Sequence, residues 1–452
     1  MNLSKIKKIV LGFVKFVGVF LVVFILYVCF VPPFGQVPRA EHFRVEKLDP
    51  QENALTEYNL AMKSLESVTQ RTHPTINSDM EKASRGFIAV DDKLTAFLTE
   101  HQDAIEHLKE AVKCSNYQFY DHSPVFSDPS PSYLESTTLF NLTGLQGRVF
   151  IDQGKLAKAA EINLAAYKMA NYFAMEPNGS LVFSLITEVN KGRVLVNLFY
   201  LLKQDEITRE TLLEIAKKIQ QTDDNLPDPY EVMLREWRMT QLSLDNILIG
   251  QKGSLSLFNN NKKIDYLPVA LKLRLYQSYM EKSQSHILLL TSPLKQWDFE
   301  GLKVAQELSR NMSEPLLNKT WVDFTGLFDL VSVSTSPTLS SLYIGRATSA
   351  AVKAFALCGA YQKKHGKFPD TLAQAVDDLG VNSGLKVPID PSTGQPMGYR
   401  LQDGKPMVWF IGKDGQDDGG KRLYTRDEIH SNKPGVDIVF AYGELPFWVK
   451  AK

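Results

Sequence analysis

Apolar residues fall into three textures along the chain. From Ile9 to Val31 they run almost unbroken, as IVLGFVKFVGVFLVVFILYVCFV, with Lys15 the single charge. From Asn53 to about Gly366 they recur three and four positions apart, the spacing that lines one face of an α-helix. Past Gly366 they shorten to brief strand-like runs separated by Gly, Pro and Asp. The pattern predicts a mainly α protein in three parts. Residues 1–40 form a cytoplasmic tip and transmembrane signal anchor, residues 41–337 a helical-bundle domain, and residues 338–452 a long helix packed on a small antiparallel β-sheet.

Within the helical region, Pro- and Ser-rich stretches predict loops at residues 121–132, 223–229 and 332–338. The segment from Leu139 to Phe173 predicts two antiparallel helices joined at Gly154. Gly147 and Phe150 on the first, with Ala159 and Ala166 on the second, match part of the tetratricopeptide spacing, in which small side chains let two helices approach closely. Thr143 and Asn163 stand where that repeat carries tryptophan and a later aromatic, and no clear second copy follows. One degenerate hairpin cannot build a solenoid groove alone. Two readings stay open: an ordinary helix pair in a bundle, or a peptide-binding repeat surface.

In the tail, Asp370 is the expected N-cap of a short helix that follows Phe368-Pro369. Asp403-Gly404 suits the positive φ angles of a two-residue turn between strands Gly398–Gln402 and Met407–Ile411. Val436–Phe440 supplies a third strand. So small a sheet needs its apolar face covered, and Ala351, Val352, Phe355, Ala356 and Gly359 offer a stripe on the preceding helix.

As a helix, Ile9–Val31 reaches about 34 Å, enough for a hydrocarbon core of about 30 Å. Lys15 lies toward the basic end, where its ammonium can extend to the headgroups. Lys5, Lys7 and Lys8 precede the run and hold the N-terminus in the cytoplasm. No small-x-small cleavage site follows at Val31-Pro32-Pro33-Phe34-Gly35, and Leu26-Tyr27-Val28-Cys29 lacks the small residues of a lipoprotein signal. The expectation is an uncleaved anchor in a bacterial inner membrane. The lipid bilayer is then a partner through residues 9–31, and the bulk of the chain is periplasmic or extracytoplasmic.

Charge and motifs narrow the chemistry. The 452 residues balance 51 basic against 51 acidic side chains, so no net field gathers nucleic acid. G-x-x-x-x-G-K-[ST], G-x-G-x-x-G and G-x-S-x-G are all missing, which removes the usual nucleotide and hydrolase fingerprints. Eight histidines show no zinc-ligand spacing. Cys114 and Cys358 are expected as two buried free thiols, with a disulfide between them as the alternative. The densest polar group is Glu100, His101, Asp103, Glu106 and His107, where Asp103 and His107 are in reach of each other on one helix face. Glu231, Arg235, Glu236 and Arg238 predict a charged helix face making i,i+4 pairs, with Trp237 in or near the core.

The strongest candidate site is WFIGKDGQDDGG, Trp409–Gly420. Asp414, Asp417 and Asp418 supply carboxylates, the glycines let the main chain bend its carbonyls inward, and Asp437 can return across the strand pair. Hard cations such as calcium take about six to eight oxygens of these kinds. The alternative is a solvated acidic turn whose aspartates bond neighbouring amides. The register is not that of an EF-hand, because Gln416 and Thr425 fall at its third and twelfth positions.

From about Leu339 to Phe440 the chain resembles the C-terminal part of the major pseudopilin of type II secretion systems. The matching features are a long helix ending at Tyr361–Pro369, a turn with Asp390-Pro391, Gly394, Pro396 and Tyr399, then Gly412-Lys413-Asp414-Gly415 and Asp437-Ile438. The resemblance implies a structural calcium at Asp414 and Asp437, with Asp417 or Asp418. An insertion from Lys421 to Val436 and a missing pseudopilin cleavage signal depart from the family and argue against a filament subunit. The whole arrangement is also similar to uncharacterised bacterial envelope proteins with an anchor, a start like Pro50-Gln51-Glu52-Asn53-Ala54, a helical middle and this tail. The expected function is a membrane-anchored structural or protein-interaction module with envelope protein partners. An envelope hydrolase with an acidic or histidine site in the helical domain is the alternative. A hydrolase requires several of Glu100, His101, Asp103, His107 and His122 to converge in a pocket; an interaction module requires an apolar groove beside the Leu139–Phe173 hairpin.

Overall fold

Side chains at the helix starts account for much of the local architecture. In a computed structural model, residues 46–449 are described except 67–73, 123, 125–132, 250–286, 299–300, 303, 306–324, 381–382, 413, 422–436 and 447–448. The expected anchor at 9–31, most of the 121–132 loop and nearly all of the 421–436 insertion lie outside the described residues. Among the described residues no helix is long and apolar enough to cross a membrane. The protein is mainly helical, with a small three-stranded antiparallel sheet.

Four short helices open the fold: α1 (Ala54–Ser64), α2 (Pro74–Ser84), α3 (Asp92–Glu100) and α4 (Gln102–Ala111). Asn53 caps α1 by accepting from the Leu55 amide at 3.1 Å and trades two further bonds with the Gln118 backbone, at 3.0 and 2.8 Å. The Pro-Gln-Glu-Asn-Ala start is therefore a cap strapped to the chain that leaves α4. Asp91 caps α3 through the Leu94 amide at 2.8 Å.

The bundle continues with α5 (Tyr133–Asp152), α6 (Leu156–Met175), α7 (Leu181–Leu201), α8 (Arg209–Asp223) and α9 (Pro229–Ile249). The expected hairpin is the α5–α6 pair, turning at Gly154 with φ 71°. Its crossing explains the polar Asn163: a Cβ at Gly147 would lie 2.5 Å from Asn163 Nδ2, so the missing side chain makes room for an amide. The 223–229 stretch joins α8 to α9, as its prolines predict.

The long helix α10 (Thr325–His365) packs on α7 and α8, and α11 (Leu372–Asp377) follows. It runs through residues 332–338, where a loop was expected. Serine and threonine each cost only a few tenths of a kcal/mol in a helix, and packing of its later turns outweighs that local penalty together with Pro337. The cap of α11 is Thr371 instead of Asp370: Thr371 Oγ1 accepts from the Gln374 amide at 3.1 Å, and Gln374 Oε1 accepts from the Asp370 amide at 2.6 Å. Threonine followed three residues later by glutamine is a capping-box sequence, here with the glutamine reaching the amide just before the cap, and it places the helix start one residue later.

Strands β1 (Gly398–Gln402), β2 (Lys405–Phe410) and β3 (Ile438–Ala441) pair in sequence order. Gln402 faces Lys405 across the turn, with Asp403 at φ 50° and Gly404 at φ 76°, as a two-residue turn of mirror type demands. The predicted stripe does cover the sheet, since Ala351, Val352, Phe355 and Ala356 are buried and α10 touches β2 and β3. Phe199 of α7 joins them, its ring 6.0 Å from Phe355 and stacked 5.9 Å from Phe440. One hydrophobic core thus continues from the helices into the sheet.

Candidate functional site

On its other face, the sheet carries a second, small apolar cluster of Met407, Trp409 and Val439. The Asp/Gly loop lies over it. Trp409 Nε1 donates to Asp417 Oδ1 at 2.9 Å, and the Arg400 guanidinium sits 5.8 Å from the indole while donating to the Gly419 carbonyl at 2.9 Å. Gly420 must be glycine here: its φ is +74°, and a Cβ would come within 2.8 Å of Met407 Cε.

The four predicted aspartates divide into two kinds. Asp414 and Asp417 bond loop amides, Asp414 Oδ1 accepting from Gln416 at 3.2 Å and Asp417 Oδ1 from Gly419 at 2.9 Å. Asp437 is fully buried, and its Oδ2 accepts from the amides of Asp418 and Gly420 at 3.1 and 2.8 Å. Its Oδ1 and Asp418 Oδ2 are buried atoms without a well-formed hydrogen bond, although the Gly412 amide lies near enough to Asp437 to favour its charged form. Burial, with Asp417 and Asp418 nearby, pushes the Asp437 carboxyl up to about 6. Two buried carboxylate oxygens at this loop are of the type a hard cation would take as ligands. Among the described residues no group of three or more His, Cys, Asp or Glu stands together as a ligand set, so further oxygens would have to come from carbonyls or water.

The histidine group does not converge. His107 Nδ1 pairs with Glu57 Oε2 of α1 at 2.7 Å, in place of the expected Asp103, because α4 packs its face against α1. His101 is buried against the Phe97 ring at 4.5 Å, whereas His122 is exposed and bonds Asp121 at 3.1 Å. Cys114 and Cys358 are both free thiols; Cys358 is buried and Cys114 half-buried.

Of the charges around Trp237, Arg235 and Glu236 reach the ends of neighbouring helices. Glu236 is buried and accepts from the Leu181 amide at 2.7 Å, satisfying a free donor at the start of α7. Arg235 donates to the carbonyls of Ala174 and Glu176, both at 2.8 Å, closing the end of α6. Trp237 is only half-buried. A second buried polar group, invisible in local sequence, joins α6, α7, α8 and α10. The Tyr167 hydroxyl donates to Asp223 Oδ1 at 2.5 Å and lies 2.8 Å from Ser349 Oγ, while Arg346 donates to the Asp223 carbonyl at 2.9 Å. Close by, Glu188 contacts Lys191 at 3.4 Å, and its other oxygen occupies the space that a side chain at Gly345 would need.

One concave surface lies beside the hairpin. It is an open cleft of about 520 Å³ between α6 and α8, with Ala157, Ala160, Leu164 and Ala165 among its lining residues. Glu161, Glu210 and Glu214 line it together with Lys168 and Lys218. The Lys168 ammonium donates to the carbonyls of Val112 and Cys114 at 2.6 and 3.2 Å, which fixes a positive charge in the cleft wall. Neither Lys168 nor the residues across from it were legible as a site, because α6 and α8 are separated by all of α7. Against protein-family models, curated proteins and solved structures alike, no match was found for this chain.

Proposed function

We propose that this chain is a membrane-anchored cell-envelope protein whose helical domain is a protein-interaction module and whose C-terminal sheet is braced by a calcium-supported loop. The observation that carries the interaction reading is the cleft along α6. It lies beside the tetratricopeptide-like hairpin, it offers small and apolar side chains, and charged residues of both signs stand in its wall. A surface of that composition suits a polypeptide partner more than a small substrate. The hydrolase alternative draws no comparable support, since His101, His107 and His122 each take separate neighbours.

The pseudopilin-like reading of the tail is supported by the order of a long helix, an Asp-Pro turn, a hairpin, an Asp/Gly loop and a closing strand. Asp390 braces this order from within: buried, it accepts from the Ile411 amide at 2.7 Å and from the Tyr343 hydroxyl at 3.0 Å. The proposed cation sits against Asp437 and Asp418, whose buried oxygens would take it, and it would supply positive charge to a buried carboxylate.

Photocrosslinking in cells tests the interaction reading. A benzophenone amino acid replacing Ala157 or Glu161 in the full chain should yield a discrete adduct with a second polypeptide, and the same group at exposed Gln402 should not. Equal adducts at all three positions, or none at the two cleft positions, refute it.

A further inference from the structure

The cleft has a direction. Tyr167 of α6 meets Asp223 of α8, and Lys168 stands close enough to Lys218 for the second ammonium to depress the first. Asp223 is the last residue of α8, whereas Tyr167 lies two turns short of the end of α6 at Met175; with Ala157 and Glu210 both in the lining, the walls run parallel. In the same alignment, Glu161 and the pair Glu210 and Glu214 fall one to two turns back toward the N-terminal end. The two ammoniums stand toward one end and the three carboxylates toward the other, the two sets meeting where Lys218 lies 3.9 Å from Glu214.

An occupant helix meets two constraints that point the same way. The negative end of the α8 dipole lies at the Lys168 end, so a third helix fits best with its own N-terminus there, antiparallel to both walls. Its first turn then faces Lys168 and Lys218, and its last turn faces Glu161, Glu210 and Glu214. Acidic residues early and basic residues late are also what a helix's own dipole prefers. From Ala157 to Lys168 the lining rises about 16 Å, or about three turns. Ala157, Ala160 and Ala165 allow close backbone approach.

We infer that the cleft binds an amphipathic helix of a partner protein, about three turns long, lying antiparallel to α6 and α8, acidic in its first turn and basic in its last. The inference rests on the interaction reading above and adds the partner's shape and polarity.

The test is a phage-displayed library of random 16-residue peptides selected on the purified full chain in detergent, with the Ala165→Arg protein as counter-selection. Circular dichroism and melting check that variant's fold, and Ala157→Arg, at an exposed position, serves if it misfolds. Enriched peptides should carry apolar residues at i, i+3, i+4 and i+7, acids in the first turn and bases in the last. Lys218→Glu should weaken such a peptide about fivefold by fluorescence anisotropy and favour a peptide with its end charges exchanged. Cleft-dependent peptides without this charge order, or extended ones rich in proline, overturn the inference and leave the docking reading standing. No cleft-dependent enrichment overturns the inference and counts against docking as well. A dimer abolished by Ala165→Arg also overturns it, by making a second copy the occupant.

Discussion

Glu176 allows a quantitative test of how this bundle is held. It follows α6, is fully buried, and accepts from the amides of Phe119 at 2.5 Å and Asn178 at 3.3 Å. Burial nevertheless pushes its carboxyl from 4.5 up to about 7, with those amides and Arg235 opposing the rise. The unfolded chain releases this proton near pH 4.5 and the folded chain only near 7, so the folded state holds more protons in between. Stability therefore falls as pH rises across that window. A shift of that size corresponds to about 3 kcal/mol at about 1.4 kcal/mol per unit. Glu176→Gln removes the ionisation but leaves one of the two amides without an acceptor, at a cost of about 1–2 kcal/mol. The variant should be less stable than the parent at pH 5 and more stable at pH 8, with the difference moving by about 3 kcal/mol between them. Urea unfolding followed by far-UV circular dichroism from pH 5 to 8 measures it. Glu188 and Glu236, whose carboxyls burial also raises, tilt both proteins alike and cancel in the difference. A difference that stays constant across the range would refute the reasoning: Glu176 would then be ionised throughout and held by its amides.

Two other expectations concern the tail. Calcium should raise the melting temperature of the full chain, stabilising it by about 2.7 kcal/mol at 100 times the dissociation constant, and Asp437→Asn should remove the response; an unchanged melt of the parent in millimolar calcium ends the cation proposal. Gly420→Ala should destabilise the sheet by about 1–3 kcal/mol, from positive φ and the contact with Met407, and should expose Trp409. An unshifted Trp409 emission and an unchanged melt would mean the loop does not cover that face.

The elements predicted best are those whose cause is local. The Asp403-Gly404 turn, the Gly154 hairpin and the stripe from Ala351 to Gly359 each depend on residues within a few positions of one another, and each appears as expected. Where a competing local signal was present, boundaries moved: Thr371 with Gln374 outcompeted Asp370, and α10 ran through a serine-rich stretch. The candidate aspartates were legible as a group, but their division of labour was not. Which oxygen of Asp437 bonds an amide well and which does not depends on how a loop folds back over β2 and β3.

By itself the sequence determined the helical periodicity, the hairpin register and the presence of an acidic, glycine-rich loop, because backbone sterics and side-chain spacing act over a few residues. Tertiary structure alone decided the pairings that matter for function. It joined His107 to Glu57 in place of Asp103, turned Arg235 and Glu236 toward helix ends, and brought Lys168 beside Lys218 across about fifty residues of chain. A charged side chain takes the partner that packing brings within reach, and helices two elements apart share a cleft only after the helix between them has packed.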